Sequence, residues 1–316
     1  MEPIRPDSLL ADVMYQQMNI QWFPGHMTKA KRMIAENIKL VDAVCEIIDA
    51  RIPYSSRNPD FGEITANLPR LLILNRADQA DPHITKKWSS YFKEQGCTVL
   101  ETDSKTGKGV DGLQSATSSL LSEKIAYYAM RGQSGRKLRL LIAGIPNVGK
   151  SSFINRIAGR KAAAASDRPG VTRGKQWITI GTDFELLDTP GVLWPRFESQ
   201  TVAENIAFTG AIRDEILDIE TLAANLMCRL KDTYPERLVE RYKLQFADED
   251  TGFSLLEQAA KRRGFLISGG EYDLNRMAVI LLDEFRGGKL GRISLESVDS
   301  VETFNTAEAS TQTAST

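Results

Sequence analysis

The sequence predicts an α/β domain with a mostly parallel sheet, followed by an all-helical domain. Three observations predict it. Short apolar runs, each the length of a buried strand, recur at residues 43–48, 70–74, 98–100, 138–143, 177–180 and 184–187. Helix-like stretches such as 84–94 and 112–129 lie between several of them, and strands alternating with helices imply βαβ units. After about residue 195 the strand runs stop and only helical patterns follow.

Taken in order, residues 1–18 read as an N-terminal extension. They carry Arg5 alone against Glu2, Asp7 and Asp12, which fits neither a secretory signal nor an Arg-rich, acid-poor presequence. Residues 28–41 read as a helix with Met33, Ile34, Ile38 and Leu40 on its apolar side and Lys29, Lys31 and Arg32 on its polar side. The strand-bearing domain is expected over 19–198. The helical domain is expected over 199–294, with helices at 201–212, 219–231, 235–242, 254–263 and 272–286. The tail, 295–316, is acidic, rich in Ser, Thr and Ala, and has no Lys or Arg, so it cannot offset its ordering entropy and is expected to be disordered.

Composition excludes several classes of protein. The 316 residues carry a formal net charge of -1, with 42% hydrophobic and 26% charged residues, an ordinary globular balance. Three widely spaced Cys and no CxxC argue against a disulfide framework or a Cys-rich zinc site, and fit a reducing compartment. Two His make a multi-His metal site improbable. No apolar run approaches the ~18 residues a membrane span needs, so no membrane partner is expected. Near-neutral charge excludes a uniformly basic nucleic-acid coat but leaves room for local patches.

The strongest chemical signal is residues 144–151, GIPNVGKS, between the apolar run 138–143 and an apparent helix. In that context GxxxxGK[ST] is a phosphate cradle. The backbone from Asn147 through Val148 and Gly149 to Ser152 would wrap the phosphates, Lys150 would neutralise β and γ oxygens, and Ser151 would ligate Mg²⁺. DTPG, residues 188–191, ends the run 184–187: Asp188 is placed to hold the Mg²⁺ shell and the Gly191 N–H to bond a γ-phosphate. Thr172 lies between the two motifs and is the candidate mobile-loop hydroxyl for Mg²⁺ and γ-phosphate.

NRAD, residues 75–78, ends the run 70–74. The Asp78 carboxylate can accept from N1–H and N2–H₂ of guanine, groups that adenine lacks. Asn75 would brace this loop and contact the base, and the Arg76 stem could cover the base face. Ser104 and Lys105, after the run 98–100, form the candidate second base loop, offering backbone N–H to O6. The expected nucleotides are therefore GTP and GDP.

In ordinary Ras-like GTPases the phosphate motifs precede the base motifs; here the order is reversed. The fold class is therefore a circularly permuted Ras-like P-loop GTPase domain with a C-terminal all-helical domain. The assembled set resembles the ribosome biogenesis GTPase A (YlqF/RbgA) family. The resemblance runs from about residue 18 to 294 and includes QWFPGHM (21–27), DARIP (49–53), SSRNP (55–59), YPER (234–237) and SGG (268–270). It implies a cytoplasmic GTPase that binds the large ribosomal subunit and its rRNA late in assembly, and that is monomeric away from the ribosome. Two departures stand out: Arg76 occupies a place where the family usually has Lys, and the extension before Met18 is not part of the family pattern.

Many GTPases place a water-orienting Gln directly after the DxxG glycine; Val192 and Leu193 stand here and cannot bond water. Two substitutes are visible. Asn147 matches a position that helps coordinate K⁺ in related potassium-dependent GTPases, or else stabilises the loop. His26 reads as a water-orienting or basic imidazole, or else as a helix-start cap. Lys124, Arg131, Arg136, Lys137 and Arg139 form an acid-free basic window, joined by Lys29, Lys31, Arg32, Lys261, Arg262, Arg263, Lys289 and Arg292 as candidate RNA contacts. The competing functions are a GTP-gated RNA-binding switch and a GTPase acting on another RNA or protein, as in tRNA modification.

Overall fold

The computed structural model describes residues 18, 20, 25–159, 176–181, 183–195, 197 and 199–301, which divide between two compact units. The sheet unit draws on Trp22–Arg196 and Glu296–Thr316, the helical unit on Met1–Gln21 and Phe197–Leu295.

In chain order the sheet unit holds α1 (Gly25–Asn37), β1 (Ala43–Asp49), α2 (Pro59–Ile64), β2 (Arg70–Asn75), α3 (Pro82–Glu94), β3 (Thr98–Thr102), α4 (Gly112–Leu120), α5 (Ser122–Met130), β4 (Leu138–Ala143), α6 (Lys150–Ala158), β5 (Gln176–Ile180) and β6 (Phe184–Asp188). The six strands form one sheet in the order β3-β2-β1-β4-β6-β5. Every neighbouring pair is parallel except β5 and β6. β1 has a strand on each side and all seven of its residues are buried, which is why its apolar residues do not alternate with polar ones; its two buried acids, Glu46 and Asp49, are paired with Arg70 and Arg51. The strand that enters the phosphate cradle, fourth in sequence, lies among the central strands of the sheet, as a permuted chain requires.

The helices follow local rules. Asp81 caps α3 by accepting from the N–H groups of His83 (2.8 Å) and Ile84 (3.2 Å), and Pro82 occupies the first turn. Trp88 and Phe92 then stack on the buried face of α3, packed with Ile48, Leu72 and Leu74. The stretch expected as one helix over 112–129 is two, because Leu121 leaves helical geometry (φ -106, ψ 18) between α4 and α5. α1 starts at Gly25, earlier than the apolar periodicity indicated.

The tail expectation needs correction. After Leu295 the chain rejoins the sheet unit. The buried Glu296 carboxylate accepts from the N–H groups of Tyr54 (2.7 Å) and Ser55 (3.0 Å) and from the Ser55 hydroxyl. The Glu296 carbonyl accepts from Trp88 Nε1 (3.2 Å), and Val301 joins the Trp88 cluster. One carboxylate and two valines, Val298 and Val301, thus supply the anchoring that bulk composition hides. Residues 302–316 lie outside the described residues.

The helical unit contains α7 (Gln200–Phe208), α8 (Ile219–Thr233), α9 (Pro235–Tyr242), α10 (Gly252–Arg263) and α11 (Leu274–Arg286). Asp218, Thr251 and Asp273 cap α8, α10 and α11. α8 is buried along most of its length and is the core element. Met18 and Ile20 are buried and group with this unit, so the helical unit, not the sheet unit, takes up the chain just before residue 22.

Candidate active site

The parallel register of β4 and β6 sets Asp188 opposite Ile142, beside the root of the phosphate cradle. From Ala143 the chain turns into α6, whose first residue is Lys150. Gly149 has φ +90, and a Cβ there would lie 2.3 Å from Asn75 Nδ2, so only glycine fits. Lys150 Nζ lies 2.5 Å from Asp188 Oδ1, both side chains only 10% exposed. Ser151 and Ser152 are exposed on the first turn of α6, where unsatisfied N–H groups and the helix dipole favour an anion. Val148 is buried and lends its backbone: its carbonyl accepts from Asn75 Nδ2 at 2.7 Å.

DTPG abuts the cradle. Thr189 Oγ1 donates to the Ile142 carbonyl (2.7 Å), and a Cβ on Gly191 would come within 2.9 Å of Pro146 N. The Val192 N–H donates to the Gly144 carbonyl (3.3 Å). Val192 and Leu193 are buried, so neither offers a polar group at the position where many GTPases hold a Gln.

The base loops are braced against the cradle by one buried amide. Asn75 Oδ1 accepts from Thr102 Oγ1 (3.1 Å), Ser104 N (3.2 Å) and Ser104 Oγ (2.6 Å), while its Nδ2 holds Val148. Both polar atoms of Asn75 thus make internal bonds that brace the loop, and one Nδ2 hydrogen is not accounted for by the Val148 contact. Lys105 N–H donates to Asp103 Oδ1 (2.8 Å), so of the two N–H groups expected to face O6 one is engaged within its own loop and the other, on Ser104, by Asn75. Arg76, in left-handed geometry (φ 60), sends its guanidinium to the Asn147 carbonyl (2.8 Å) and to within 3.7 Å of Asp49 Oδ2. Its head therefore ties the base loop to the cradle. Asp49 is itself buried and bound to Arg51; burial works against its charge, but the Arg51 guanidinium holds its carboxyl below the usual range. Asp78 lies at the exposed loop edge, where partial desolvation of its carboxyl together with the Asp103 charge pushes its pKa up.

Of the remaining candidates, Asn147 is exposed with φ 61. His26 falls in the first turn of α1, but its side chain lies outside the described residues, as does Thr172. The basic window is not acid-free in space. Lys124 pairs with Asp42 (2.7 Å), and Lys137 and Arg139 pair with Glu185 (3.8 and 3.0 Å). Lys31 pairs with Asp60, Arg32 with Glu36 and Arg263 with Glu284. Sequence reasoning gave no role to Asn58, whose Nδ2 donates to the Val192 carbonyl (3.0 Å); the only signal was its place in SSRNP.

A helix-borne phosphate cradle on a central strand, a carboxylate-bearing base loop bolted to it and the reversed motif order define a circularly permuted GTPase. A family model described as a 50S ribosome-binding GTPase matches residues 139–248. Ribosome biogenesis GTPase A of Priestia megaterium is 46% identical over 286 residues, covering 90% of this chain and 99% of that protein. The Thermotoga maritima protein of that name is 30% identical over 282 residues, covering 89% and 96%. The crystal structure of GNP-bound YlqF from T. maritima matches with a TM-score of 0.59 and 29% identity over 85% of this chain and 98% of that one. The chain belongs to the ribosome biogenesis GTPase A family, and its reaction is the hydrolysis of GTP to GDP and phosphate.

Proposed function

We propose that this GTPase acts in late assembly of the large ribosomal subunit, binding that subunit and its rRNA in the cytoplasm as a monomer and hydrolysing GTP there. The observation that carries this reading is the likeness over nearly the full length of the curated relatives, through both units, to proteins named for ribosome biogenesis.

In this reading Lys150 moves from Asp188 to the phosphates, and Asp188 and Ser151, with Thr172, take Mg²⁺. The donor set fits that ion: a carboxylate and hydroxyls are hard oxygen ligands, and Mg²⁺ is ordinarily held by one or two protein oxygens plus substrate phosphates. Among the described residues no group of three His, Cys, Asp or Glu side chains converges as an all-protein cage would require. The bound ion would neutralise charge developing on the phosphate oxygens. Asp78 selects guanine, Asn75 and Arg76 hold the base loop against the cradle, and Ser104 and Lys105 shape its far side. With Val192 unable to orient water, His26 and a K⁺ ion at Asn147 are the candidate substitutes, and slow hydrolysis off the ribosome follows.

RNA contact is supported by α5 and the turn after it. Arg131 and Arg136 lie over the rings of Tyr127 (4.7 Å) and Tyr128 (4.5 Å), and Met130 is 81% exposed. Arginine and aromatic faces together suit phosphate and unstacked bases. On the helical unit Lys261, Arg262, Lys289 and Arg292 are exposed or half-exposed.

Single-turnover GTP hydrolysis with and without purified large subunits tests the proposal. Subunits are expected to raise the rate, KCl to exceed NaCl at matched ionic strength, and His26→Ala to lower the stimulated rate by about 10²–10⁴-fold with GTP affinity retained. A rate indifferent to subunits, with no GTP-analogue-dependent co-sedimentation, overturns it.

A further inference from the structure

Asn58 occupies the N-cap position of α2, where an Asn side chain ordinarily accepts from the N–H groups of the first turn. Here it makes no such bond, although its backbone is extended (φ -84, ψ 115) as a cap requires. The Asn58 carbonyl takes the Phe61 N–H (3.1 Å) in the ordinary way, while the side chain turns aside and donates from Nδ2 to the Val192 carbonyl (3.0 Å). The residue is buried, and Oδ1 has no hydrogen-bond partner among the described residues. An amide that forgoes its own helix and leaves an acceptor unsatisfied is a poor arrangement for stability alone. Its reach goes to the residue immediately after the DTPG glycine.

Val192 is thereby held at both backbone groups, its N–H by the Gly144 carbonyl and its C=O by Asn58. A narrow cleft lined by Ile34, Asn58, Phe61, Ile64, Pro190 and Val192 lies beside this segment. Asn58 itself rides on a fixed platform. Arg51 grips Asp49 from Nε (2.9 Å) and Nη2 (2.7 Å), Ser56 Oγ accepts from the Asp49 N–H (3.0 Å), and the Glu296 carboxylate accepts from the Tyr54 and Ser55 N–H groups.

We propose that Asn58 is a positioning residue for GTP hydrolysis: by fixing Val192 it holds the Gly191 N–H in the orientation the γ-phosphate needs, in a chain that lacks a Gln there. It acts through the backbone and does not touch the nucleotide. This rests on the reading of residues 144–151 and 188–191 as the phosphate site.

The test compares Asn58→Asp, Asn58→Ala and Lys150→Ala in the full-length chain, by calorimetric binding of GDP and a GTP analogue and by single-turnover hydrolysis across pH. Asn58→Asp keeps the size of the side chain but turns an acceptor toward a carbonyl. Its hydrolysis should fall by about 10²-fold at alkaline pH, with GDP affinity retained. The deficit should shrink as pH falls, because the protonated carboxyl donates to Val192 again. Asn58→Ala should be slowed at every pH with GDP affinity retained, and it carries the test alone if Asn58→Asp folds poorly. If Lys150→Ala binds GTP as well as wild type, the phosphate-site reading itself fails. If Lys150→Ala is inactive while the Asn58 variants hydrolyse at the wild-type rate, the site stands and the role of Asn58 is overturned. GDP affinity falling in step with rate overturns it too, since GDP has no γ-phosphate for the Gly191 N–H to meet.

Discussion

At the scale of single residues, the guanine selectivity proposed for Asp78 would rest on a carboxylate whose surroundings oppose its charge. Burial and the neighbouring Asp103 raise the pKa of Asp78 above its ordinary value of 3.8, yet it must be ionised to accept two N–H groups at once. Two outcomes follow. Calorimetric GTP affinity should weaken on the acid side beginning at a higher pH than an unperturbed Asp would dictate, because protonation removes the acceptor pair. Asp78→Asn should cost GTP about 2–3 kcal/mol of binding, since a charge-assisted pair is replaced by an amide that donates where it should accept. The same change should shift preference toward xanthosine nucleotides, and equal binding of GTP and ATP by the wild type would sink the assignment. Arg76 supplies a complementary lesson. Its departure from the family's Lys is accommodated by a guanidinium reaching the Asn147 carbonyl, a contact visible only once β2 and β4 are placed in one sheet.

At the scale of elements, residue patterns located the inner strands well because they are flanked by strands on both sides and largely buried, so their runs are mostly apolar; β1 and β4 match to within a residue, while the edge strand β3, only half-buried, extends two residues beyond its apolar run. The phosphate and guanine motifs were equally plain, since each is a contiguous string with its own turn chemistry. What stayed hidden depends on partners far along the chain. α2 is six residues long and has no period to detect, and the Asn58 bond spans 134 residues. Lys124 and Arg139 looked unopposed until the fold brought Asp42 and Glu185 to them. The helical unit has a similar hidden junction at Glu284 of α11. Burial works against its charge, but hydrogen bonds from Arg241 and Tyr242 and the charges of Arg263 and Arg241 hold its pKa at about 2, below the ordinary 4.5. A depressed carboxyl pKa stabilises the folded state above its unfolded value and loses that contribution as pH falls through the folded one. Wild type should therefore lose its stability advantage over Glu284→Gln between about pH 4.5 and 2 in thermal melts. A gap that stays constant over that range would show that Glu284 is not the titrating group.

At the scale of the whole molecule, the sheet unit is assembled from two stretches of chain separated by the entire helical unit. Truncation after Leu295 removes the Glu296 carbonyl and Val301 from around the fully buried Trp88, and the Glu296 carboxylate from the Tyr54 and Ser55 N–H groups. Such a chain should be destabilised by about 2–5 kcal/mol, from one buried aliphatic side chain and a set of charge-assisted hydrogen bonds. A thermal melt of the sheet unit indistinguishable from wild type would refute the contribution. The same returning segment also sets the order in which the protein can mature during its own synthesis. Domains generally fold as units while the chain is still being made, N-terminal first. Here the first stretch of the sheet unit is made before the helical unit, and residues 296–301, which cover Trp88, are made only after every helix of that unit. A nascent chain arrested before that point lacks the Glu296 and Val301 contacts around Trp88, so this part of the sheet unit's core can close only after the helical unit has been synthesised.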